Sequence, residues 1–167
     1  ITSGEQVSVG LLSMILNKMN IKSISLLGWQ VPIITDNSYG KARILKIENN
    51  LLKKHLNTFD VVVVAGFQGI SLEGNISSLG RGGSDTTAVA LASSLKAERC
   101  DIFTDVEGVY STDPNIDKSA KKIDKIAYEE MLEMSSMGAK VLQTRSAELA
   151  MKNNLSLRVL SSIKNSS

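Results

Sequence analysis

The sequence has few of the residues that most often carry catalysis or cross-links. Its 167 residues include one cysteine, Cys100, and one histidine, His55. A single cysteine excludes an internal disulfide, and a single histidine argues against a histidine-rich metal site or a Ser-His-Asp triad. Cys100 lies in the apolar run RCDIFTD, so we interpret it as a buried strand thiol rather than a nucleophile.

Aromatic residues and net charge are also low. Three Phe, three Tyr and one Trp argue against a stacking platform for single strands. The formal net charge of +2 is too small to indicate nucleic acid or a membrane surface as a partner. No apolar run approaches the roughly 20 residues of a membrane span, and no signal peptide is recognisable. We therefore expect a cytoplasmic protein.

Apolar spacing predicts helices alternating with strands, which is typical of an α/β layered fold with a largely parallel sheet. Four consecutive valines in residues 60–65 indicate a strand buried on both faces. Residues 29–41, 66–80 and 106–116 are predicted as loops or irregular structure. The predicted helices are 5–19, 50–56, 84–96, 127–137 and 139–152, and the predicted strands are 23–27, 42–47, 60–65, 100–104 and 157–160.

The segment GRGGSD, residues 80–85, has the features of an anion-binding site. Its glycines allow close approach of backbone amides to a ligand, and the following helix adds partial positive charge. Arg81 contributes a planar cation suited to a carboxylate or phosphate. The segment is neither a Walker A loop nor a dinucleotide fingerprint. A plain glycine-rich turn, with Ser84 or Asp85 capping the helix, is the alternative.

A second loop, FTDVEGVYSTDP, follows the strand that contains Cys100. Ligands of open α/β sheets bind beyond the carboxyl ends of strands, so this loop is a candidate for wrapping a nucleotide. An ordinary turn-rich loop with self-bonding Asp side chains explains it equally well. Glu5, before a helix, could bind a substrate ammonium or could interact with the dipole of its own helix. Lys140, after Gly138, could bind a phosphate or could be solvated.

Taken together and in order, these motifs resemble the aspartokinases of the amino-acid kinase superfamily. The resemblance covers nearly the whole chain. The segments that carry it are GEQ (4–6), GWQ (28–30), ITD (34–36), GKARI (40–44), VAGFQGI (64–70), LGRGGSDTTAVALA (79–92), FTDVEGVYSTDP (103–114), YEEMLEMSSMGAKVL (128–142) and LRVLSS (157–162).

The resemblance implies a three-layer α/β/α sandwich with a mainly parallel sheet, the amino-acid kinase or carbamate kinase-like fold. It implies transfer of the ATP γ-phosphoryl group to the β-carboxylate of L-aspartate. The product, 4-phospho-L-aspartate, opens lysine, threonine, methionine and diaminopimelate biosynthesis. ATP and Mg²⁺ are the expected cofactors, and the full-length protein is expected to be a homo-oligomer. Residues 1–163 would be a partial catalytic domain and 164–167 a frayed tail.

The resemblance also assigns roles to individual residues. Arg81 and Asp85 would act at the transfer centre, with Asp85 orienting groups or a magnesium-bound water. The implied substrate-binding residues are Glu5, Arg81, Gly82, Gly83 and Ser84. The implied ATP-binding residues are Ser84, Phe103, Thr104, Asp105, Val109, Tyr110, Ser111, Thr112, Asp113, Pro114 and Lys140.

The sequence departs from the family pattern at its ends. It starts at Ile1 without the family's KFGGTS-type segment, whose lysine contacts the phosphates, and has no C-terminal ACT domains. We therefore expect a fold truncated at the N-terminus and little ADP formation by residues 1–167 alone. Three hypotheses stay open: an aspartate kinase, a catalytically inactive remnant that binds nucleotide or oligomerises, and another amino-acid kinase acting on glutamate, N-acetylglutamate or UMP.

Overall fold

The computed structural model describes residues 2–112, 116–136 and 142–163. The chain divides into two compact units, Ile1–Leu95 and Lys96–Ser167. No helix in the described ranges is long and apolar enough to cross a membrane.

The first unit alternates helices and short strands. Its elements in chain order are α1 (Ser3–Lys18), β1 (Ser23–Leu26), β2 (Ile33–Thr35), β3 (Ile44–Ile47), α2 (Asn50–Leu56), β4 (Val61–Val64), β5 (Gln68–Ser71), β6 (Ile76–Ser78) and α3 (Gly83–Leu95).

The strands of the first unit form two sheets. β1 and β4 pair in parallel, with Ser23 opposite Val61 and Leu26 opposite Val64. The second sheet has the order β3-β2-β5-β6. Within it β2 and β5 are parallel, while β3 and β6 pair antiparallel to their neighbours.

The core of this unit lies between the strands and α2. Leu26, Val31, Ile33 and Leu52 form a buried cluster. Helix α1 is attached to β1 by polar contacts, because the hydroxyls of Ser13 and Ser23 lie 3.0 Å apart in a buried position. Buried hydroxyls are stabilising only when they are hydrogen-bonded in this way.

The second unit contains β7 (Arg99–Thr104), α4 (Tyr128–Ser136), α5 (Thr144–Lys152) and β8 (Ser156–Ser161). β7 and β8 are parallel and in register from Arg99 and Ser156 to Thr104 and Ser161. A bidentate ion pair joins the two strands, since Arg158 Nη2 lies 2.6 Å from Asp101 Oδ2 and Nε lies 2.8 Å from Oδ1. Cys100 is buried within β7, as predicted.

The predicted α/β class with a mainly parallel sheet is confirmed. The pairs β1–β4, β2–β5 and β7–β8 are parallel, and among the described strands antiparallel pairing involves only the outer strands β3 and β6. The predicted helix over 50–56 matches α2, and the other predicted helices and strands each overlap an observed element. The predicted break at Gly138 lies outside the described residues.

Three local predictions are wrong. Residues 66–80 are not a loop but contain the β5–β6 hairpin, and residues 29–41 contain β2. Strands of three or four residues between glycines or beside Pro32 are too short to produce a periodic signal. All four valines of β4 are half-buried rather than buried on both faces. Val62 and Val64 line an open apolar cavity.

Candidate active site

The glycine segment that leads into α3 is a tight turn. Gly80 and Gly82 have φ values of 78° and 70°, a region that glycine occupies without steric cost. The Gly83 N–H donates to the Gly80 carbonyl at 3.0 Å, which closes the turn. A Cβ on Gly83 would lie 2.9 Å from both Leu79 Cβ and Phe67 Cδ2, so only glycine fits there. The exposed side chain of Arg81 therefore stands on a closely packed backbone.

The turn after β4 is fixed against the first turn of α3. Phe67 has a φ of 68°, which is unusual for a non-glycine residue. Its N–H donates to Thr87 Oγ1 at 3.1 Å, and the Thr87 hydroxyl donates to the Gly83 carbonyl at 2.8 Å. The Phe67 carbonyl in turn accepts the Leu79 N–H at 3.0 Å. These bonds hold the strained Phe67 backbone beside the glycine turn.

Glu5 occupies the first turn of α1 and is half-buried. The neighbouring Gln6 side chain donates to Thr2 Oγ1 at 3.1 Å and to Gln68 Oε1 at 3.5 Å. Gln68 begins β5 and is fully buried. The start of α1 is thereby attached next to the turn that contains Phe67.

The start of α1, the turn at Phe67 and the glycine turn line a cavity of about 370 Å³. It brings together all five residues that the sequence predicts for substrate binding, Glu5, Arg81, Gly82, Gly83 and Ser84. It therefore combines one carboxylate, one guanidinium and a helix N-terminus in a single space. Its remaining lining residues are Gly4, Ser8, Phe67 and Gly80.

Phe67 is a site residue that sequence reasoning missed. It stands in the VAGFQGI segment, between Gly66 and Gly69. Two glycines close to the end of a valine strand were a usable signal, since glycine within strands often marks close approach of another backbone. A Cβ on Gly66 would indeed lie 3.2 Å from the Ser84 Cα.

A second cavity, of about 410 Å³, shares Glu5 and Ser84 with the first. Its lining is mainly apolar and comes from α2, β4 and α3. The other lining residues are Leu52, Leu56, Val62, Val64, Gly66, Thr87, Ala88, Leu91 and Leu95.

Asp85 differs from the other predicted residues of this segment. It lies in the first turn of α3 and is half-buried, and it lines neither of the two cavities. Burial raises the pKa of its carboxyl above the ordinary value. Arg81 takes part in no ion pair within the described ranges, so its charge is open to an anionic ligand.

The second predicted loop lies in the other unit and begins at the end of β7. Phe103 is 64% exposed, and Asp105 is exposed as well. The Thr104 carbonyl accepts the Ser162 N–H at 2.7 Å, and its hydroxyl donates to the Asp105 carboxylate at 3.1 Å. The end of β7 is therefore anchored to the residue after β8.

Residues 109–112 pair with a returning segment. Tyr110 forms an antiparallel bridge with Lys122. On either side, the Ser111 N–H donates to the Lys121 carbonyl at 2.9 Å and the Ile123 N–H donates to the Val109 carbonyl at 2.8 Å. Val109 is buried, Tyr110 is half-buried, and Ser111 and Thr112 are exposed. The predicted nucleotide residues Asp113, Pro114 and Lys140 lie outside the described residues.

Comparison with known proteins identifies the family. The profile of the amino acid kinase family matches residues 1–161. The chain belongs to the amino acid kinase family.

The chain is 55% identical over 164 residues to an aspartate kinase of Pseudomonas fluorescens strain SBW25. The match covers 98% of this chain and 40% of that relative, so the chain spans well under half of its length. Among solved structures, Escherichia coli aspartokinase III in complex with aspartate and ADP matches with a TM-score of 0.90 and 36% identity, over 98% of this chain and 37% of that one. A UMP kinase of Bacillus anthracis, 19% identical over 96% of this chain and 58% of its own with a TM-score of 0.67, shares the fold.

Proposed function

We propose that this amino acid kinase is an aspartate kinase, which transfers the γ-phosphoryl group of ATP to the β-carboxylate of L-aspartate. The product would be 4-phospho-L-aspartate, the first intermediate toward lysine, threonine, methionine and diaminopimelate. The observation that carries the proposal is the cavity in which Glu5 and Arg81 meet from distant parts of the chain. The 55% identity to an aspartate kinase supports it.

The charges of this cavity suit a small zwitterion with an additional carboxylate. In the proposal, the Glu5 carboxylate binds the substrate ammonium, and the Arg81 guanidinium binds the α-carboxylate in a bidentate manner. The amides of Gly82, Gly83 and Ser84 lie at the N-terminus of α3, where partial positive charge favours anions. This leaves the β-carboxylate free to react.

The proposed reaction needs no general base. A carboxylic acid with a pKa of about 4 is already ionised at neutral pH. An oxygen of the β-carboxylate forms a bond to the γ-phosphorus while the bond from that phosphorus to the bridging oxygen of ADP breaks, and no proton is transferred. The obstacle is repulsion between carboxylate and triphosphate, so positive charge and alignment supply the catalysis. Arg81 and the helix amides fill this role.

For the nucleotide, we propose the loop after β7, with the residues assigned above from Phe103 to Pro114, together with Lys140 and Ser84. Magnesium, when bound, neutralises phosphate charge. In the proposal the ion is held mainly by the phosphates, with one or two carboxylates. Asp85 is the carboxylate that we propose beside it.

We further propose that residues 1–163 form part of a catalytic domain, with 164–167 as a tail, and that the full-length protein is a cytoplasmic homo-oligomer without nucleic-acid or membrane partners. The formal net charge of +2 supports the last point.

Calorimetric titration of the chain with L-aspartate tests the proposed substrate site. We expect binding that Arg81→Ala weakens about tenfold or more, because a hydrogen-bonded charge contributes roughly 1.5–3 kcal/mol. Arg99→Ala is the matched control, since Arg99 pairs with Asp101 in the other unit. Glutamate should bind less tightly than aspartate.

Two outcomes would contradict the proposal. Equal weakening by Arg81→Ala and Arg99→Ala would place aspartate elsewhere. Tighter binding of glutamate than of aspartate would favour the glutamate-kinase alternative.

A further inference from the structure

We propose that Thr87 is a positioning residue of the candidate substrate site. Its hydroxyl holds the backbone of Phe67 against the glycine turn, and Phe67 in turn limits the space of the cavity that contains Arg81. Thr87 lies in α3, is 2% exposed and does not line the cavity of about 370 Å³, so it acts through Phe67. The identity of the ligand rests on the proposed function, whereas the positioning does not.

Phe67 lies where the chain passes from one sheet to the other. It follows β4, which pairs with β1, and directly precedes β5, which pairs with β2. Its φ of 68° is a conformation that non-glycine residues rarely adopt. Such a conformation persists only where the surrounding structure imposes it. The hydrogen bonds to Phe67 therefore determine where its side chain lies.

The two backbone groups of Phe67 are bonded to the two ends of the glycine segment. The Phe67 carbonyl accepts the N–H of Leu79, the residue before the turn, at 3.0 Å. The Phe67 N–H donates to Thr87 Oγ1 at 3.1 Å. Thr87 Oγ1 donates in turn to the carbonyl of Gly83, the last glycine of the turn, at 2.8 Å. A closed loop of hydrogen bonds thus encloses the segment that carries Arg81.

The hydroxyl of Thr87 is suited to complete this loop. A hydroxyl oxygen can accept one hydrogen bond while its proton is donated to another group, which is what the Phe67 N–H and the Gly83 carbonyl require. Valine at position 87 would have nearly the same shape, but it would leave the Phe67 N–H without this partner, which is unfavourable. We expect Phe67 to move toward an ordinary φ when the hydroxyl is removed.

The phenyl ring of Phe67 packs directly on the glycine turn. Its Cδ2 would lie 2.9 Å from a Cβ on Gly83, and Phe67 lines the same cavity as Glu5 and Arg81. A displaced ring would change the length of the ligand that Glu5 and Arg81 can bind together. The position of Phe67 should therefore help to distinguish aspartate from glutamate, which is one methylene longer.

Calorimetric titration of the chain with L-aspartate and L-glutamate tests the proposal. We expect Thr87→Val to weaken aspartate binding about tenfold or more, and to lower the ratio of the glutamate Kd to the aspartate Kd. Thr87→Ser keeps the hydroxyl and should retain both the affinity and the ratio. A role in packing alone would not give this rescue, because serine fills less space than valine.

Thr35→Val is the matched control. Thr35 is 0% exposed, and its hydroxyl lies 2.6 Å from Ser77 Oγ and donates to the Asp36 carbonyl at 3.0 Å. It lines neither cavity. The same substitution thus removes an equally buried hydroxyl away from the site, and this variant should bind aspartate like the wild type. Circular dichroism and urea unfolding verify that each titrated variant is folded.

Amide hydrogen exchange, followed by NMR, tests the positioning without a ligand. The Phe67 N–H should be protected in the wild type and in Thr87→Ser. In Thr87→Val it should exchange about tenfold faster or more, relative to the Ile33 N–H. The Ile33 N–H donates to the Gly28 carbonyl at 3.1 Å and belongs to a fully buried residue, so its exchange reports any general loss of stability.

Specific results would overturn the inference. Unchanged aspartate binding by Thr87→Val would do so, and so would an equal loss of affinity in Thr87→Ser or Thr35→Val. Equal exchange of the Phe67 N–H in Thr87→Val and in the wild type would mean that the hydroxyl does not hold the turn. A wild-type chain that binds no aspartate would instead contradict the proposed function, and the exchange of the Phe67 N–H would then decide the positioning by itself.

Discussion

Asp85 and Asp101 are aspartates whose environments shift the pKa in opposite directions. Burial raises the pKa of Asp85 above its ordinary value of 3.8. Hydrogen bonds from Arg158, with the nearby charges of Arg158 and Arg99, lower the pKa of Asp101 below the same value. The first carboxylate loses solvation on folding, and the second gains partners. Stability should therefore respond to pH with opposite signs at the two positions.

We predict that the free energy of unfolding of Asp85→Asn increases relative to that of the wild type as the pH rises from about 3 to 7. A raised pKa means that the wild-type fold loses stability when Asp85 ionises, above about pH 4, and asparagine does not ionise. Asp101→Asn should do the reverse, because its contribution, about 0.2–1 kcal/mol, is present at neutral pH and is lost as the pH falls below about 4. Urea unfolding across this range measures both. Parallel pH profiles of the two variants would contradict the assignment.

At the scale of elements, two glycines that both lie in helices, Gly83 in α3 and Gly10 in α1, differ in the space around them. We predict that Gly83→Ala destabilises the fold by about 1–3 kcal/mol, since overpacking costs that much and the new Cβ would meet Leu79 and Phe67 at 2.9 Å. Gly10→Ala is the matched control. A Cβ at Gly10 meets nothing within 4 Å, so it should stabilise α1 by up to about 1 kcal/mol.

Urea midpoints of both variants provide the measurement. If Gly83→Ala were as stable as Gly10→Ala, the close packing between the start of α3 and the turn at Phe67 would be refuted.

How far the sequence predicts these elements depends on their length. Helix α1, helix α3 and strand β7 each span enough residues to repeat an apolar pattern, and the sequence predicts them. β2, β5 and β6 span three or four residues, and their pairing depends on partners distant in the chain. Local patterns do not encode such tertiary contacts.

The candidate site likewise combines features that local sequence predicts with features that depend on tertiary contacts. The glycine turn into α3 is predictable from its residues, because glycines, a cation and a helix start are adjacent. That Glu5 lies in the same cavity as Arg81 follows only from the family resemblance, since the two are far apart in sequence. The positive φ of Phe67 has no sequence signal of its own, because it is imposed by bonds to Thr87 and Leu79.

At the scale of the molecule, packing within the first unit is uneven. The cluster of Leu26, Val31, Ile33 and Leu52 is closed, while the cavity of about 410 Å³ beside β4 and α3 stays open. A larger side chain destabilises a closely packed region, whereas it stabilises a region with an open apolar cavity that it can fill. Helix α3 borders both environments, so it offers a direct comparison.

We predict that Ala88→Leu and Ala90→Leu, two substitutions in α3 of equal size and nearly equal helix propensity, differ in sign. Ala88 lines the open cavity, so leucine should stabilise the unit by about 1 kcal/mol through the apolar surface it buries. Ala90 is 7% exposed, so leucine should destabilise it by about 1–3 kcal/mol through overpacking. Thermal and urea unfolding measure the difference. Equal destabilisation by both would mean that the cavity beside β4 is closed in solution, and that the half-burial of Val62 and Val64 needs another explanation.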